Sequence, residues 1–153
     1  ARLIEPIRRA SPRNLILVDG QNGALDLETT PQRIGFLEPE DGVLAHSNHF
    51  IHPDLLEMET SSERGLRNSA ARLARIKDLL HTHRGNLNPE TVQQIMRDRE
   101  SYPDALCRMP GDFKDGGDGI TFASLILRPT QGQGWIAVGP PNENAYQRYA
   151  FSE

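Results

Sequence analysis

Residues 120–129 read ITFASLILRP, and this stretch decides which fold the chain can adopt. Along an extended strand, successive side chains point to opposite faces. The apolar residues on one face are Ile120, Phe122 and Ile126, and those on the other are Ala123, Leu125 and Leu127. A strand that is apolar on both faces lies in a middle layer, with further layers packed above and below it. The stretch therefore predicts a strand that must be covered on both sides.

Shorter segments of strand type surround this one. They are NLILVD (14–19), ALDLET (24–29), RIGFLEP (33–39) and GVLAHSNHF (42–50) before it, and GWIAVGPP (134–141) and AYQRYAF (145–151) after it. DGQNG at 19–23 and EPEDG at 38–42 are rich in residues that tolerate positive φ, so both predict turns. With two helices in the middle, the order predicts an α+β fold in which both helices lie on one face of an antiparallel sheet. Few further elements remain to cover the other face.

The two helices are predicted from their caps and from their apolar spacing. The apolar residues of the first are Leu66, Ala70, Leu73, Ile76 and Leu80. Ser61 or Ser62 is placed to cap its start, and Gly85 follows its end. The second helix begins with Asn88 as the cap and Pro89 at the first helical position. Both segments therefore have the start signals of real helices.

Composition restricts the function classes. The chain has 153 residues, about one domain, with 17 Lys+Arg against 21 Asp+Glu and a net charge of −4. This balance gives no sign of nucleic-acid binding. No stretch is apolar enough to span a bilayer, and the start lacks a signal-peptide pattern. The single cysteine, Cys107, excludes an internal disulfide and a cysteine-rich zinc site. We expect a cytoplasmic protein with no cofactor, no metal and no membrane partner.

The segment HSNHF at 46–50 gathers polar side chains at the end of an apolar run. If it continues a strand, His46 and Asn48 point the same way. A histidine can be a general base or a metal ligand, and an asparagine can donate to an oxyanion. Zinc bound with His49 and His52 is an alternative, but the helical i, i+4 spacing and a carboxylate ligand are missing. From the residues alone, hydrogen-bonded structural side chains are the favoured interpretation.

TSSER at 60–64 lies where the first helix begins. A helix N-terminus points free N–H groups and a positive dipole end at a ligand. Arg64 could there bind a carboxylate through two hydrogen bonds, beside Ser61 and Ser62. The plain alternative is an N-cap with a solvated arginine, and the residues alone favour it.

Two further features carry little chemistry. Asp112, Asp115 and Asp118 recur every three residues, whereas calcium loops use alternate positions and a distal glutamate. Cys107 has apolar neighbours and no histidine close in sequence, so a buried thiol that packs as a small hydrophobe is favoured over a nucleophile.

Taken in order, six blocks resemble the acyl-coenzyme A:6-aminopenicillanic acid acyltransferase (isopenicillin N acyltransferase) family. The blocks are LVDGQNGALDLETTP, GVLAHSNHF, SSERGLR, YPDALCR, TFASLILRP and WIAVGPPNENAYQRY. The resemblance runs from Asn14 to Tyr149. Its most specific parts are HSNHF and the Ser-x-x-Arg that follows it. The order of the blocks carries more weight than any single one.

The resemblance implies a four-layer αββα fold, in which two antiparallel sheets are stacked between helices. It also implies a self-processing N-terminal nucleophile hydrolase, whose terminal cysteine attacks an acyl donor with its own α-amino group as base. The acyl group then passes to an amine or to water. Ser61 and Arg64 match the family's residues near the substrate pocket, where Arg64 is expected to hold a substrate carboxylate. Asn48 and His49 match its Asn-His pair, with an architectural or pocket-lining role.

One departure from the family matters most. The chain opens with Ala1, and the residues after it lack the pattern of the buried strand that follows a nucleophile. Cys107 lies in a different block. We therefore expect residues 1–13 to be a linker or truncated start, and residues 14–153 to be the C-terminal part of one αββα domain. The partner would be a nucleophile-bearing N-terminal segment of the same precursor, and the substrate a small amide or acyl-CoA. The alternative is a catalytically inactive binding or interaction module.

Overall fold

Two separate three-stranded antiparallel sheets form the β part of the protein, in a computed structural model that describes residues 7, 9–112 and 119–151. The fold is α+β, as the sequence predicts. The strands before and after the helices do not pair with each other, so the element order gives two antiparallel sheets rather than the single sheet predicted from it.

The first sheet has the order β1-β2-β3, with β1 Arg13–Val18, β2 Ala24–Thr29 and β3 Ile34–Leu37. The predicted DGQNG turn joins β1 to β2. There the carboxylate of Asp19 accepts the N–H of Gln21 and of Gly23, both at 2.8 Å. This closes the hairpin and sets its register, in which Asn14 is opposite Glu28.

The second sheet has the order β4-β5-β6, with β4 Ala123–Arg128, β5 Gln133–Val138 and β6 Gln147–Ala150. The face of β4 that carries Ser124 and Ile126 is buried. The opposite face of the same strand is exposed. The sequence predicts packing on both faces of β4, and the described residues pack on one of them.

Two α-helices lie between the sheets in sequence, α1 Glu63–Thr82 and α2 Pro89–Met96. Their predicted caps are confirmed. Ser62 Oγ accepts the N–H of Gly65 at 3.1 Å, and Asn88 Oδ1 accepts the N–H of Thr91 at 2.9 Å. Gly85 follows α1 with φ +83°, a conformation that glycine adopts at little cost. Two short 3₁₀ helices, Pro53–Met58 and Pro129–Gln131, complete the helical part.

The buried face of α1 is not its apolar stripe. Asn68, Ser69 and Leu73 are the buried residues of this helix, whereas Leu66 is 38% exposed. Of the predicted core face, Leu73 is buried, Ile76 and Leu80 are half-buried, and Leu66 and Ala70 are exposed. Helix α2 instead buries an apolar residue, Ile95.

The segment GVLAHSNHF does not form the predicted strand. Glu40 and Val43 pair through one isolated bridge around a tight turn, in which Asp41 and Gly42 have φ of 52° and 77°. Residues 44–52 then run without regular secondary structure. His46 and Asn48 consequently do not share a strand face: the side chain of His46 is buried and that of Asn48 is exposed.

Several large apolar side chains remain exposed on both sheets. On the second sheet Leu125 is 55% and Val138 77% exposed. The other exposed apolar residues of the strands are Leu15, Ile16, Leu17, Val18, Phe36, Leu127 and Tyr149. These side chains form apolar surface that the described residues leave open to solvent. None of the helices in the described ranges combines the length and apolar character needed to cross a lipid bilayer.

Candidate functional site

The irregular segment 46–52 is held from below by a buried carboxylate on β2. Glu28 is 1% exposed, and its Oε1 accepts the N–H of Ile51 at 2.7 Å while its Oε2 accepts the N–H of His52 at 2.9 Å. His46 Nε2 lies within hydrogen-bonding distance of the same Oε1, at 2.6 Å. One side chain thus fixes both ends of the segment.

Helix α1 and the residues before it hold the middle of the segment. Ser69 Oγ accepts the N–H of Asn48 at 2.7 Å and contacts His49 Nδ1, also at 2.7 Å. Glu59 Oε2 accepts the N–H of Phe50 at 2.9 Å. The backbone N–H groups of this segment therefore bond to side-chain oxygens rather than to a neighbouring strand. This explains why it is not a strand although its sequence has the strand pattern.

The side chain of Asn48 has one fixed orientation. Arg72 Nη2 donates to Asn48 Oδ1 at 2.7 Å, and Arg72 Nε donates to Asn68 Oδ1 at 3.1 Å. A guanidinium can only donate, so the amide oxygen of Asn48 must face Arg72. Asn68 is oriented in the same way, since its Nδ2 donates to Asp104. The Nδ2 of Asn48 makes no hydrogen bond within the described part of the chain and is available to a ligand.

Burial makes the environment of this network unusual. Desolvation lowers the pKa of Arg72 to about 10, and the nearby charge of Arg108 adds to the effect while Asp104 opposes it. Burial also lowers the pKa of His49, so that its neutral form is favoured. On the other side of the segment, burial raises the pKa of Asp26, which accepts a hydrogen bond from Asn14. The site is therefore a desolvated polar cluster in which hydrogen bonds weigh more than in water.

A cavity of about 260 Å³ opens beside the segment. Three of the four predicted site residues, Asn48, His49 and Ser61, line it, together with Asn14 of β1 and the buried His46. Arg64, the fourth, is exposed in the first turn of α1 and is not among the lining residues. Its role as a carboxylate-binding residue stays a prediction.

The other sequence candidates have structural partners. His52 Nδ1 accepts the N–H of Asp54 at 3.2 Å and so caps the first 3₁₀ helix. Asp112 is bound by both terminal nitrogens of Arg99, at 2.9 and 2.7 Å, which lowers the pKa of its carboxyl. Asp115 and Asp118 lie outside the described residues. In the described ranges no three His, Cys, Asp or Glu side chains form a metal-binding group.

Cys107 is buried at 0% exposure, as predicted, and it does not line the cavity. Burial raises the pKa of its thiol. Since the thiolate is the nucleophile, a buried thiol of raised pKa is poorly suited to attack a substrate. Cys107 is therefore not a candidate nucleophile for a reaction at this cavity.

Sequence reasoning missed the residues that build the site from beneath. Glu28, Ser69 and Arg72 belong to elements predicted for packing rather than for chemistry. A signal was present for one of them, because ALDLET places Asp26 and Glu28 on one face of β2, opposite Leu27. Two acidic residues on one face of a central strand need partners, and that pattern could have drawn attention to them.

Asn48 lines the cavity, and an asparagine amide nitrogen can donate a hydrogen bond to an oxyanion of the kind formed in acyl transfer. The comparison of the sequence with protein families agrees with this chemistry. Residues 1–143 match the family described as acyl-coenzyme A:6-aminopenicillanic acid acyl-transferase, and the chain belongs to this family. The match confirms the resemblance seen in the six blocks and indicates an acyltransferase-type function. A search of curated proteins finds no match.

Proposed function

We propose that this chain is the C-terminal portion of an N-terminal-nucleophile acyltransferase or amidohydrolase, which acts on amide or thioester bonds of small molecules. In such a reaction a nucleophile attacks the carbonyl carbon, and the carbonyl oxygen gains negative charge in the tetrahedral intermediate. The chain would supply the group that stabilises this charge.

The observation that carries the proposal is the orientation of Asn48. Arg72 holds its Oδ1, so its two N–H groups are directed elsewhere, and the residue lines the cavity. A donor that is fixed in advance stabilises an oxyanion without reorganisation during the reaction. Segment 46–52 is anchored to both β2 and α1, which adds to this rigidity.

The nucleophile would come from a separate segment of the same precursor. The chain's single cysteine, Cys107, is buried away from the cavity. The family resemblance suggests a cysteine exposed by self-cleavage, with its α-amino group as base. The exposed apolar faces of both sheets support such a partner, because a segment that packs on them would remove that surface from water.

The remaining predicted residues would contact the substrate. His49 and Ser61 line the cavity with Asn48, and Arg64 lies one turn further along the chain from Ser61. In the proposed enzyme Arg64 binds a carboxylate of the substrate, while His49 and Ser61 shape the pocket wall.

The test begins with the intact mass of every species in natively purified material, under denaturing and then native conditions. The expected result is a second polypeptide that begins with cysteine and stays bound to the 17.1 kDa chain. Activity is then measured on chromogenic anilides and acyl-CoA thioesters. In the assembled enzyme, Asn48→Ala is expected to lower kcat by about 10²–10³ with little change in KM, as for other oxyanion donors.

Asn86→Ala is the matched control, because Asn86 is an exposed asparagine in the turn after α1. An Asn48→Ala enzyme with unchanged kcat would remove the oxyanion role. A lone 17.1 kDa species without activity would leave the binding-module alternative as the better account.

A further inference from the structure

Glu59 brings a negative charge to the cavity beside Asn48. Its side chain is half-buried and lines the cavity of about 260 Å³. Burial alone would raise the pKa of this carboxyl, but hydrogen bonds from Ser61, Phe50 and Thr60 together lower it. The carboxylate is therefore ionised at neutral pH.

Two backbone groups hold this carboxylate in one orientation. Oε2 accepts the N–H of Phe50 at 2.9 Å, and Oε1 accepts the N–H of Ser61 at 2.8 Å. A carboxylate has about four lone-pair sites on its two oxygens, so each oxygen can still accept another donor. The carboxylate of Glu59 is thus fixed in advance and remains able to bind a ligand.

The ion pairs among the described residues involve other carboxylates than Glu59. Of the described residues that line the cavity, Arg13 is the one with a permanent positive charge, and its Nη1 donates to the carbonyl of Pro12 at 2.9 Å. His49 favours its neutral form, because burial lowers its pKa. A half-buried carboxylate without a counter-ion attracts a cation more strongly than one in water, since the local dielectric constant is lower.

The surroundings of Glu59 favour an ammonium group as this cation. In the described ranges no three His, Cys, Asp or Glu side chains form a metal-binding group. A guanidinium binds best to a carboxylate with both oxygens free, whereas both oxygens of Glu59 already accept a backbone N–H. An ammonium is a compact charge that needs only one oxygen.

The position of Glu59 relative to Asn48 determines where the ammonium lies in the substrate. Glu59 accepts the N–H of Phe50, which follows Asn48 by two residues. The Cα atoms of Asn48 and Phe50 are therefore at most about 7.6 Å apart. A substrate whose carbonyl oxygen meets the amide of Asn48 would place the groups next to its scissile bond beside Glu59.

We propose that Glu59 is a specificity-determining residue, which binds a primary ammonium group of the substrate next to the amide bond that reacts. The inference rests on the proposed function and names the substrate class of the same site. The ammonium can belong to the acyl group or to the leaving amine, because both adjoin the carbonyl that Asn48 would bind. Neutral amides of the same shape are then poorer substrates.

A titration followed by NMR tests binding without requiring activity. The probe is L-alaninamide at about pH 6.5, below the α-amino pKa, and its control is isobutyramide, in which a methyl group replaces the ammonium. In natively purified material, the backbone N–H signals of Phe50 and Ser61 are expected to shift with alaninamide, because both groups bond to the carboxylate. Alaninamide should bind about 10- to 100-fold more tightly than isobutyramide, as expected for a charged hydrogen bond.

Kinetics on matched amides distinguish the two positions of the ammonium. Alanine 4-nitroanilide and isobutyric acid 4-nitroanilide differ on the acyl side, whereas N-acetylethylenediamine and N-propylacetamide differ on the amine side. In at least one pair, kcat/KM should be about 10- to 100-fold higher for the ammonium-bearing member. A preference in the first pair alone assigns the ammonium to the acyl group, and a preference in the second pair alone assigns it to the amine.

Variants separate ammonium binding from a purely structural role of Glu59. Glu59→Gln removes the charge and should lower the kcat/KM ratio within the pair by about 10- to 100-fold, whereas Glu59→Asp keeps a carboxylate and should retain part of the preference. A side chain that only anchors Phe50 and Ser61 would change both members of a pair alike and leave their ratio intact. Glu57→Gln is the matched control, because Glu57 is an exposed glutamate outside the lining of the cavity, and it should keep the wild-type ratio.

The outcomes separate this inference from the proposed function. An active enzyme without an ammonium preference, or with a preference that Glu59→Gln leaves intact, would overturn the inference and keep the proposed function. Inactive material in which alaninamide shifts the Phe50 and Ser61 signals of the wild type, but not those of Glu59→Gln, would overturn the function and support the ammonium site. Absence of both activity and these shifts would overturn both.

Discussion

At the scale of single residues, the site depends on side chains that hold other groups rather than on those that face the cavity. Glu28 binds three groups of segment 46–52, and Ser69 binds the backbone of Asn48. Arg72 then sets the orientation of the Asn48 amide. The groups that would meet a substrate are thus positioned by residues that would never touch it.

Arg64 does not line the cavity, but its predicted role is easy to isolate by kinetics. If it binds a substrate carboxylate, Arg64→Ala should raise KM for carboxylate-bearing amides by about 10- to 100-fold, because a charged hydrogen bond contributes about 1.5–3 kcal/mol. KM for amides without a carboxylate should stay near its original value. Steady-state kinetics on such a substrate pair measures this, with the exposed Arg67→Ala as control. Equal effects on both substrates would show that Arg64 is structural.

His49 gives a prediction about pH. Burial first, then the charges of His46 and Arg72, lower its pKa, against the opposing effect of Glu59 and Glu28. The folded state thus binds the proton less readily than the unfolded state. The stabilisation is complete above the unfolded pKa, near 6.5, and is lost as the pH falls through the lower folded value.

Thermal unfolding between about pH 5 and pH 8, a range that brackets the ordinary histidine pKa, tests this prediction. The wild-type chain should lose Tm towards acid more steeply than His49→Gln, which cannot titrate at this position. Parallel pH profiles would assign the acid sensitivity to other groups.

At the scale of elements, the sequence predicted the caps and turns, which depend on local hydrogen bonds. The caps Ser62 and Asn88 and the turn at Asp19 were found because their hydrogen bonds join residues within a few positions of each other. Segment 46–52 was assigned wrongly because its N–H groups bond to residues far away in sequence, such as Glu28 and Ser69. Local alternation contains no information about such partners.

The prediction of the buried face of α1 was inaccurate for a related reason. Periodicity selects apolar residues, whereas this helix turns Asn68, Ser69 and Arg72 towards the site. A helix face that serves a polar network cannot be located from hydrophobic spacing. The compact polar motif near Asn48 was visible in the sequence, where the residues alone favoured a structural role and the family resemblance implied a pocket.

The contact between β3 and segment 46–52 can be tested with one methyl group. A Cβ at Gly35 would lie 2.5 Å from Cγ and 2.8 Å from Cβ of His52. Gly35→Ala should therefore displace the segment and destabilise the chain by about 1–3 kcal/mol, the usual cost of overpacking. Chemical denaturation measures the change, and Gly20→Ala is the control because a Cβ there would meet no atom within 4 Å. Equal free energies of unfolding for the two variants would show that segment 46–52 shifts to accommodate the methyl group without loss of stability.

At the scale of the whole molecule, the apolar surface is distributed so that each sheet has an uncovered side. Strand β4 shows this most clearly, with Ile126 buried and Leu125 exposed one residue away. The sequence predicted a second cover for this strand. It could not predict which residues supply the cover, because that depends on contacts beyond the strand itself.

A charged substitution on this surface should separate folding from assembly. The double variant Leu125→Lys, Val138→Lys replaces two exposed residues. Each substitution should change the free energy of unfolding of the chain by less than about 0.5 kcal/mol. If a further layer covers this face, the same variant should lose the partner segment and the activity, because buried unpaired charges are costly. Denaturation and co-purification measure the two effects. Full activity in the double variant would show that this face stays open to water. Ile126→Lys, on the buried face, is the control and should unfold the chain.

The burial of Cys107 has a practical consequence for following assembly. It is the chain's one thiol, and its raised pKa and lack of exposure protect it from thiol-directed dyes at neutral pH. A dye titration of the native enzyme therefore gives a background near zero from this chain. In the proposed enzyme, a rapid colour change would therefore count the cysteines of the nucleophile-bearing segment alone.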